Sequence, residues 1–373
     1  VHVLDRARSA RFVDTRTLAI GTGAGERRLS VERFILCASG RARRLACPGA
    51  EHALTHGDIW SLPSLPASVA IVGAAATGCQ LASVFAAFGA RVHLLEVAPR
   101  ILAAEDELVS REVAAAFARR GIAIATGIGG VERIEQGEGG LRLRYAQGGP
   151  RSLSVEAVVS AIGWDGNADE LNLAAAGVET TRSYVAVDDA LRTSAPHIFA
   201  AGDLTGRMML VQGAVHEGVL AAENAVLGAA RSAAHGVVSH GGFTDPEYGA
   251  VGPTEARARA AGDCVAATVP YDDLDRGVID GQTAGACKLL VSRASRRVLG
   301  AHIVGEQAVE VVQVVAAAVR AGQRVEDLTD FEFAYPTYTA IVGIAARRIA
   351  RALGPAGAER PRGAEWEQAS AGR

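Results

Sequence analysis

The chain has 373 residues, 49% hydrophobic and 21% charged, with a formal net charge of −3. That length suits two or three domains, and the composition excludes disorder or a coiled coil as a description of the whole. Slight acidity and an aromatic content of 5% give no footing for a nucleic-acid partner, by basic patch or by base stacking.

In chain order, residues 1–60 read as short strands at Val1–Leu4, Arg11–Asp14, Thr17–Ile20 and Arg33–Cys37, separated by Gly and Arg turns. A proline-marked linker follows at Ser61–Leu65. Then come strand Val69–Val72, helix Thr77–Phe88, strand Arg91–Glu96, helix Asp106–Arg120 and strand Ile122–Thr126. This alternation predicts a parallel, doubly wound sheet. Leu65–Ala90 carries no charge, but Gly73, Thr77, Gly78 and Gln80 interrupt it. Its pattern switches midway from β-branched to helical, so strand, turn and helix are expected there and no membrane insertion. A strand at His197–Ala201 and a helix at Val211–Leu227 lead to a hinge at 234–242, where His235 and His240 read as ordinary loop residues. Strands of antiparallel type at Cys264–Val269, Ala286–Ser292 and Val298–Val304 precede helix Val309–Ala321. Residues 355–373, rich in Gly, Pro, Glu and Ala, are expected to be a disordered tail.

Five scattered cysteines, none spaced as a C-x-x-C or C-x-x-x-x-C pair, point to reduced thiols and a cytoplasmic location. The histidines form no metal constellation. Lys288, the one lysine, reads as compositional background.

Two segments carry chemistry. Val69–Gly78 is a strand, a glycine turn and a helix start in the G-x-G-x-x-G pattern, with Ala75 in place of the second glycine. Gly73 permits the tight turn, the middle position faces the pyrophosphate, and Gly78 lets helix and strand pack closely. The helix N-terminus offers free N–H groups to phosphates. Glu96, at the end of the next strand, can accept both ribose hydroxyls, which favours NAD, with NADP as the alternative because Arg100 lies close by. The second segment, Thr193–Asp203, delivers Gly202 and Asp203 at the carboxyl end of a strand. Gly202 lets a ligand press on the backbone and Asp203 can accept from a sugar-alcohol hydroxyl. The alternative role for Asp203 is capping the following helix.

Thr193–Asp203 resembles the ribityl-binding motif of the FAD-dependent pyridine nucleotide–disulfide oxidoreductases, the family of dihydrolipoyl dehydrogenase and mercuric reductase, and the resemblance extends over nearly the whole chain. Ile35–Gly40 and Ser160–Asn167 are similar to the family's two A-T-G segments, which puts Gly40 and Gly163 beside the cofactors. Phe243–Glu255 and Leu299–Gly305 are similar to parts of its dimerisation domain. The resemblance implies an α/β fold with two nucleotide-binding, doubly wound domains and an α+β C-terminal dimerisation domain. Residues 1–64 and 183–233 would form a partial FAD-binding domain, 65–182 an inserted NAD(P)-binding domain and 243–354 the dimerisation domain. Cofactor contacts would come from Gly73, Ala75, Gly78, Glu96, Gly163, Gly40, Gly202 and Asp203.

The chain also departs from the family pattern. The first glycine fingerprint and the redox dithiol helix are not in this sequence, so Val1 is expected to follow them, as in a fragment or processed chain. Tyr335 and Ala340 stand where disulfide-reducing members carry His and Glu, and Gln80 stands where many carry Glu. No catalytic residue is assigned. The expected function is a homodimeric flavoenzyme moving electrons from NAD(P)H through FAD to a small-molecule or metal-ion acceptor (a disulfide, a quinone or a metal ion). The alternative is a truncated, non-catalytic, NAD-binding relative.

Overall fold

Strand pairing begins at Ser9, later than expected. In the computed structural model, which describes residues 2–23 and 25–355, residues 2–4 take no strand conformation and Val3 and Leu4 stand exposed. The charges at Asp5, Arg6 and Arg8 leave that short apolar run without a face to bury. β1 (Ser9–Phe12) pairs antiparallel with β2 (Thr17–Thr22), and β2 with β3 (Gly25–Ser30). β3 was not expected. All its residues are exposed, so it shows no apolar alternation. Phe12 is fully buried and meets Phe34 edge-on, ring centroids 4.9 Å apart. Of the expected tail, only residue 355 lies within the described residues.

β4 (Phe34–Leu36) and β5 (Leu54–Thr55) lead into β6 (Ser68–Val72), α1 (Ala76–Ala87), β7 (Arg91–Leu95), α2 (Glu107–Arg119) and β8 (Ala123–Ala125). An antiparallel meander of β9 (Val131–Gly137), β10 (Gly140–Ala146) and β11 (Pro150–Val155) precedes β12 (Ala157–Ser160). The resulting parallel sheet runs β5-β12-β6-β7-β8. All five residues of β6 are buried, as parallel strands covered on both faces require. Leu65–Ala90 is therefore a linker end, a strand, a glycine turn and a helix. Among the described residues no helix is long and apolar enough to cross a membrane. α2 starts at Asp106, whose carboxylate accepts from the Leu108 N–H at 3.0 Å. β13 (Ile198–Ala200) pairs in parallel with β4, and α3 (Val211–Leu227) follows.

The chain divides into two compact units between Glu247 and Tyr248. In the second, β14 (Tyr248–Val251), α4 (Glu255–Ala261), β15 (Cys264–Pro270), β16 (Ala286–Ser292) and β17 (Val298–Val304) build an antiparallel sheet whose strands neighbour one another as β14-β17-β16-β15. α5 (Ala308–Arg320) buries Val311, Val312, Val315 and Ala318, a helical stripe, and α6 (Ala340–Leu353) closes the unit.

Lys288 is not compositional background. It is buried in β16, and its ammonium donates to the Glu255 carboxylate at 2.7 Å. That bond, helped by Arg259, holds the Glu255 carboxyl below the usual carboxylate range. Lys288→Met is expected to cost about 1.5–3 kcal/mol at pH 7. The Glu255 contribution is complete above the ordinary glutamate value of 4.5 and disappears as pH falls through the lowered native value. Urea denaturation of both proteins should therefore show their difference shrinking below about pH 4.

Candidate functional site

β6 ends at Val72 and the chain turns through Gly73 at φ +100°, where a Cβ would lie 2.4 Å from the Ala161 carbonyl oxygen. Gly78, in the first turn of α1, has no room either: its Cβ would sit 1.8 Å from the Gly73 oxygen. Ala75 differs from both. It is the exposed N-cap of α1 at φ −77°, a conformation any residue adopts. Its methyl strains nothing in the fold and bears only on what approaches the helix end.

Glu96 follows β7 directly, and it is more than a solvated strand end. Its carboxylate accepts from the Ala74 N–H at 2.6 Å and from the Ala98 N–H at 2.8 Å, which fixes it against the glycine turn. Arg100 is engaged elsewhere, donating to the carbonyls of Leu102, Ala103 and Glu105 at 3.3, 2.9 and 2.8 Å. Gln80 donates to Ala76 O at 3.0 Å and accepts from the Phe243 N–H at 3.3 Å.

A second cluster forms beyond the carboxyl ends of β4 and β13. A Cβ on Gly40 would lie 3.3 Å from Cβ of Asp203 and 3.2 Å from Asp165 O, so Gly40 and Asp203 are direct neighbours. Gly202 adopts φ +74° and opens a single 3-10 turn, Gly202–Thr205. Asp203 does not cap the helix, because α3 begins at Val211 with Leu210 as its N-cap. Its carboxylate makes no hydrogen bond among the described residues. Burial, and then the nearby Glu217 charge, raise the Asp203 carboxyl above the usual carboxylate range.

The segment 160–166 joins the two clusters. Ala161 packs on Gly73. The Gly163 carbonyl accepts from the Arg43 N–H at 2.9 Å. Trp164–Gly166 pairs antiparallel with Gly40–Ala42, placing Gly166 opposite Gly40. The Arg43 guanidinium bonds Asp165 at 2.8 Å, and the Ser160 hydroxyl donates to Arg43 O at 3.0 Å. Of the eight residues expected from sequence, seven fall into two groups, Gly73, Ala75, Gly78 and Glu96 in one and Gly40, Gly202 and Asp203 in the other. Gly163 lies on the strap between them.

Sequence reasoning missed the support beneath the second group. Glu217 on α3 is fully buried and accepts the Gly202 N–H at 2.8 Å. His235 meets its other oxygen at 2.9 Å, and Arg207 approaches to 4.0 Å. His240 contacts both Glu105 oxygens at 3.1 Å, and this carboxylate raises the His240 imidazole above its ordinary value. The two histidines expected to be ordinary loop residues are therefore each tied to a carboxylate. A Glu-Gly pair six residues into the helix is the only sequence trace of this arrangement.

Residues 2–218 match the pyridine nucleotide-disulphide oxidoreductase family, and residues 238–346 match the dimerisation domain of the same family. The chain belongs to the pyridine nucleotide-disulphide oxidoreductases. It is 32% identical over 326 residues to a mercuric reductase of Lysinibacillus sphaericus, covering 86% of this chain and 59% of that protein. It is 30% identical over 342 residues to a dihydrolipoyl dehydrogenase of Pseudomonas aeruginosa, covering 91% and 73%. It superposes on the HOCl-induced flavoprotein disulfide reductase RclA from Escherichia coli with a TM-score of 0.85 at 25% identity, covering 91% of this chain and 78% of that one. The chain spans little more than half the length of the mercuric reductases it matches.

In this family member, Tyr335 is exposed, and the Asp275 carboxylate raises its phenol above the ordinary range. It keeps its proton at neutral pH and cannot act as a base there. All five cysteines are free. Burial pushes the Cys79 and Cys287 thiols up to about 12, so neither supplies a thiolate at pH 7. Among the described residues, no group of three or more His, Cys, Asp or Glu is placed to hold a metal ion.

Proposed function

We propose that the protein is a flavin-dependent oxidoreductase that takes electrons from NAD(P)H and passes them through FAD to an acceptor. The observation that carries this is the Asp203 carboxylate, desolvated and without a hydrogen bond among the described residues, beside the bare backbone of Gly40. A half-buried acceptor of that kind suits a polyol hydroxyl. Asp203, Gly202 and Gly40 would hold the ribityl chain of FAD, and Gly163 would lie between the cofactors. Gly73, Ala75, Gly78 and the N-terminus of α1 would hold the pyrophosphate of NAD, and Glu96 its ribose. When bound, the nicotinamide supplies a hydride and the flavin accepts it and releases electrons singly or in pairs. The chain's own residues bind and orient. Glu217 fixes the Gly202 backbone, Glu96 fixes the glycine turn, and residues 160–166 set the spacing of the two groups.

Residues 1–64 and 183–233 would bind FAD, 65–182 would bind NAD(P) and 243–354 would form the homodimer. A disulfide, a quinone or a metal ion is the acceptor class, and the free thiols fit the cytoplasm. NAD would be preferred over NADP because the Glu96 carboxylate would accept the ribose hydroxyls while Arg100 is bonded to backbone carbonyls. Glu96→Ala is expected to weaken NADH binding about 10- to 100-fold and to erase the preference over NADPH, as measured by fluorescence titration. Anaerobic titration of the FAD-supplemented chain with NADH is expected to bleach the flavin absorbance in proportion to NADH. An unchanged spectrum at saturating NADH, with FAD demonstrably bound, overturns the reading.

A further inference from the structure

At the opposite, amino ends of β4 and β13 lies a groove of about 680 Å³. Its walls include Arg33, just before β4, Arg192 and Pro196, before β13, and Arg16, with Phe199 at its floor. Gly40, Gly202 and Asp203 follow the carboxyl ends of the same two strands, so the groove is separate from both glycine groups. Open α/β sheets place their nucleotides at carboxyl ends, and this groove therefore needs its own account.

Three features point to a ligand. The Arg192 guanidinium lies over the Phe199 ring, 5.8 Å from its centroid, and its Nε is buried with no hydrogen-bond partner among the described residues. Buried donors left unpaired are uncommon. Among the described residues Arg33 enters no salt bridge, and the Arg16 guanidinium donates only to the Glu32 carbonyl, at 3.1 Å. Three guanidiniums against the Glu32 carboxylate leave a formal charge of about +2, which outweighs the roughly half negative charge at the nearby C-terminus of α3. Guanidinium forks match tetrahedral oxyanions in geometry as well as charge. The volume exceeds that of a bare phosphate, and Pro196 and Phe199 supply an apolar wall for an organic remainder.

We propose that this groove binds a small phosphate monoester through Arg192, Arg33 and Arg16. The proposal stands independently of the flavoenzyme reading. The test uses ribose 5-phosphate, inorganic phosphate, ribose and acetate at one fixed ionic strength, with phosphorus NMR for the two phosphates and the thermal midpoint for all four. Expected are saturable binding of ribose 5-phosphate, weaker binding of inorganic phosphate, and no midpoint change with ribose or acetate. Arg192→Met, which keeps the stem and removes the charge, and Arg33→Ala, at an exposed position, should each weaken binding about tenfold or more with circular dichroism unchanged. If Arg192→Met does not fold, Arg33→Ala decides. Absence of saturable binding, equal response to acetate, or unaltered binding by the folded variants overturns the proposal.

Discussion

Glu217→Ala is expected to destabilise the unit ending at Glu247 by about 2–5 kcal/mol, the cost of a buried cavity and of hydrogen-bonding groups left unpaired. The carboxylate is fully buried and serves two partners at once, the Gly202 N–H and His235. Its removal leaves the buried Gly202 N–H unsatisfied and His235 without its hydrogen-bond partner, inside a cavity where side-chain atoms had packed. Glu217→Gln keeps an acceptor for Gly202 but not the charge, so about half that loss is expected. Urea denaturation followed by circular dichroism gives both values. A loss below about 1 kcal/mol for the alanine variant would mean that water replaces the carboxylate and that the Gly202 turn holds itself. The glutamine variant carries a second readout. Without the Glu217 charge, the Asp203 carboxyl should titrate closer to the ordinary aspartate range, although its burial remains.

Gly78→Ala should cost about 2–4 kcal/mol and remove measurable NADH binding together. The added methyl would meet backbone, the Gly73 carbonyl, and backbone cannot rotate aside as a side-chain tip can. α1 must move away from β6, and the helix N-terminus moves with it. Ala75→Gly is the informative contrast within the same turn. Ala75 already sits at an unstrained, extended backbone and is exposed. Glycine is accepted at an N-cap more readily than alanine, so stability should change by no more than about 0.5 kcal/mol. NADH affinity should rise modestly as the methyl leaves the approach to the helix end. Calorimetric melting and NADH titration of the two variants separate the role of packing from the role of access.

Much of this arrangement was legible in residue order. The run Val69–Gly78 announces strand, turn and helix because β-branched residues, glycine and helix formers each restrict the backbone locally. Helix Val211–Leu227 and strands Ala286–Ser292 and Val298–Val304 were expected at the bounds they occupy. The strand expected at Val1–Leu4 fails for want of a face to bury, and β3 escapes sequence reading for a different reason. Edge strands of a small meander are held by backbone pairing with β2, which apolar periodicity does not report.

α3 shows where periodicity gives out. Val211, Val215, Val219 and Val226 are all more than half exposed, while Glu217 and Asn224 are buried. A hydrophobic reading of the helix would turn it the other way. The Gly202 N–H needs an acceptor, and the carbonyls of Ala190 and Arg231 need donors. Those needs belong to segments remote in sequence, and only tertiary packing brings them to one helix face. Lys288 follows the same logic, since its partner Glu255 lies 33 residues away. By itself the sequence determined the glycine turns and the alternation of strand and helix, because these rest on local backbone limits and on spacing, and it indicated the family through the resemblance of its motifs. The tertiary structure alone decided which polar groups are buried and what they hold, because a buried charge is tolerated only where a distant partner satisfies it.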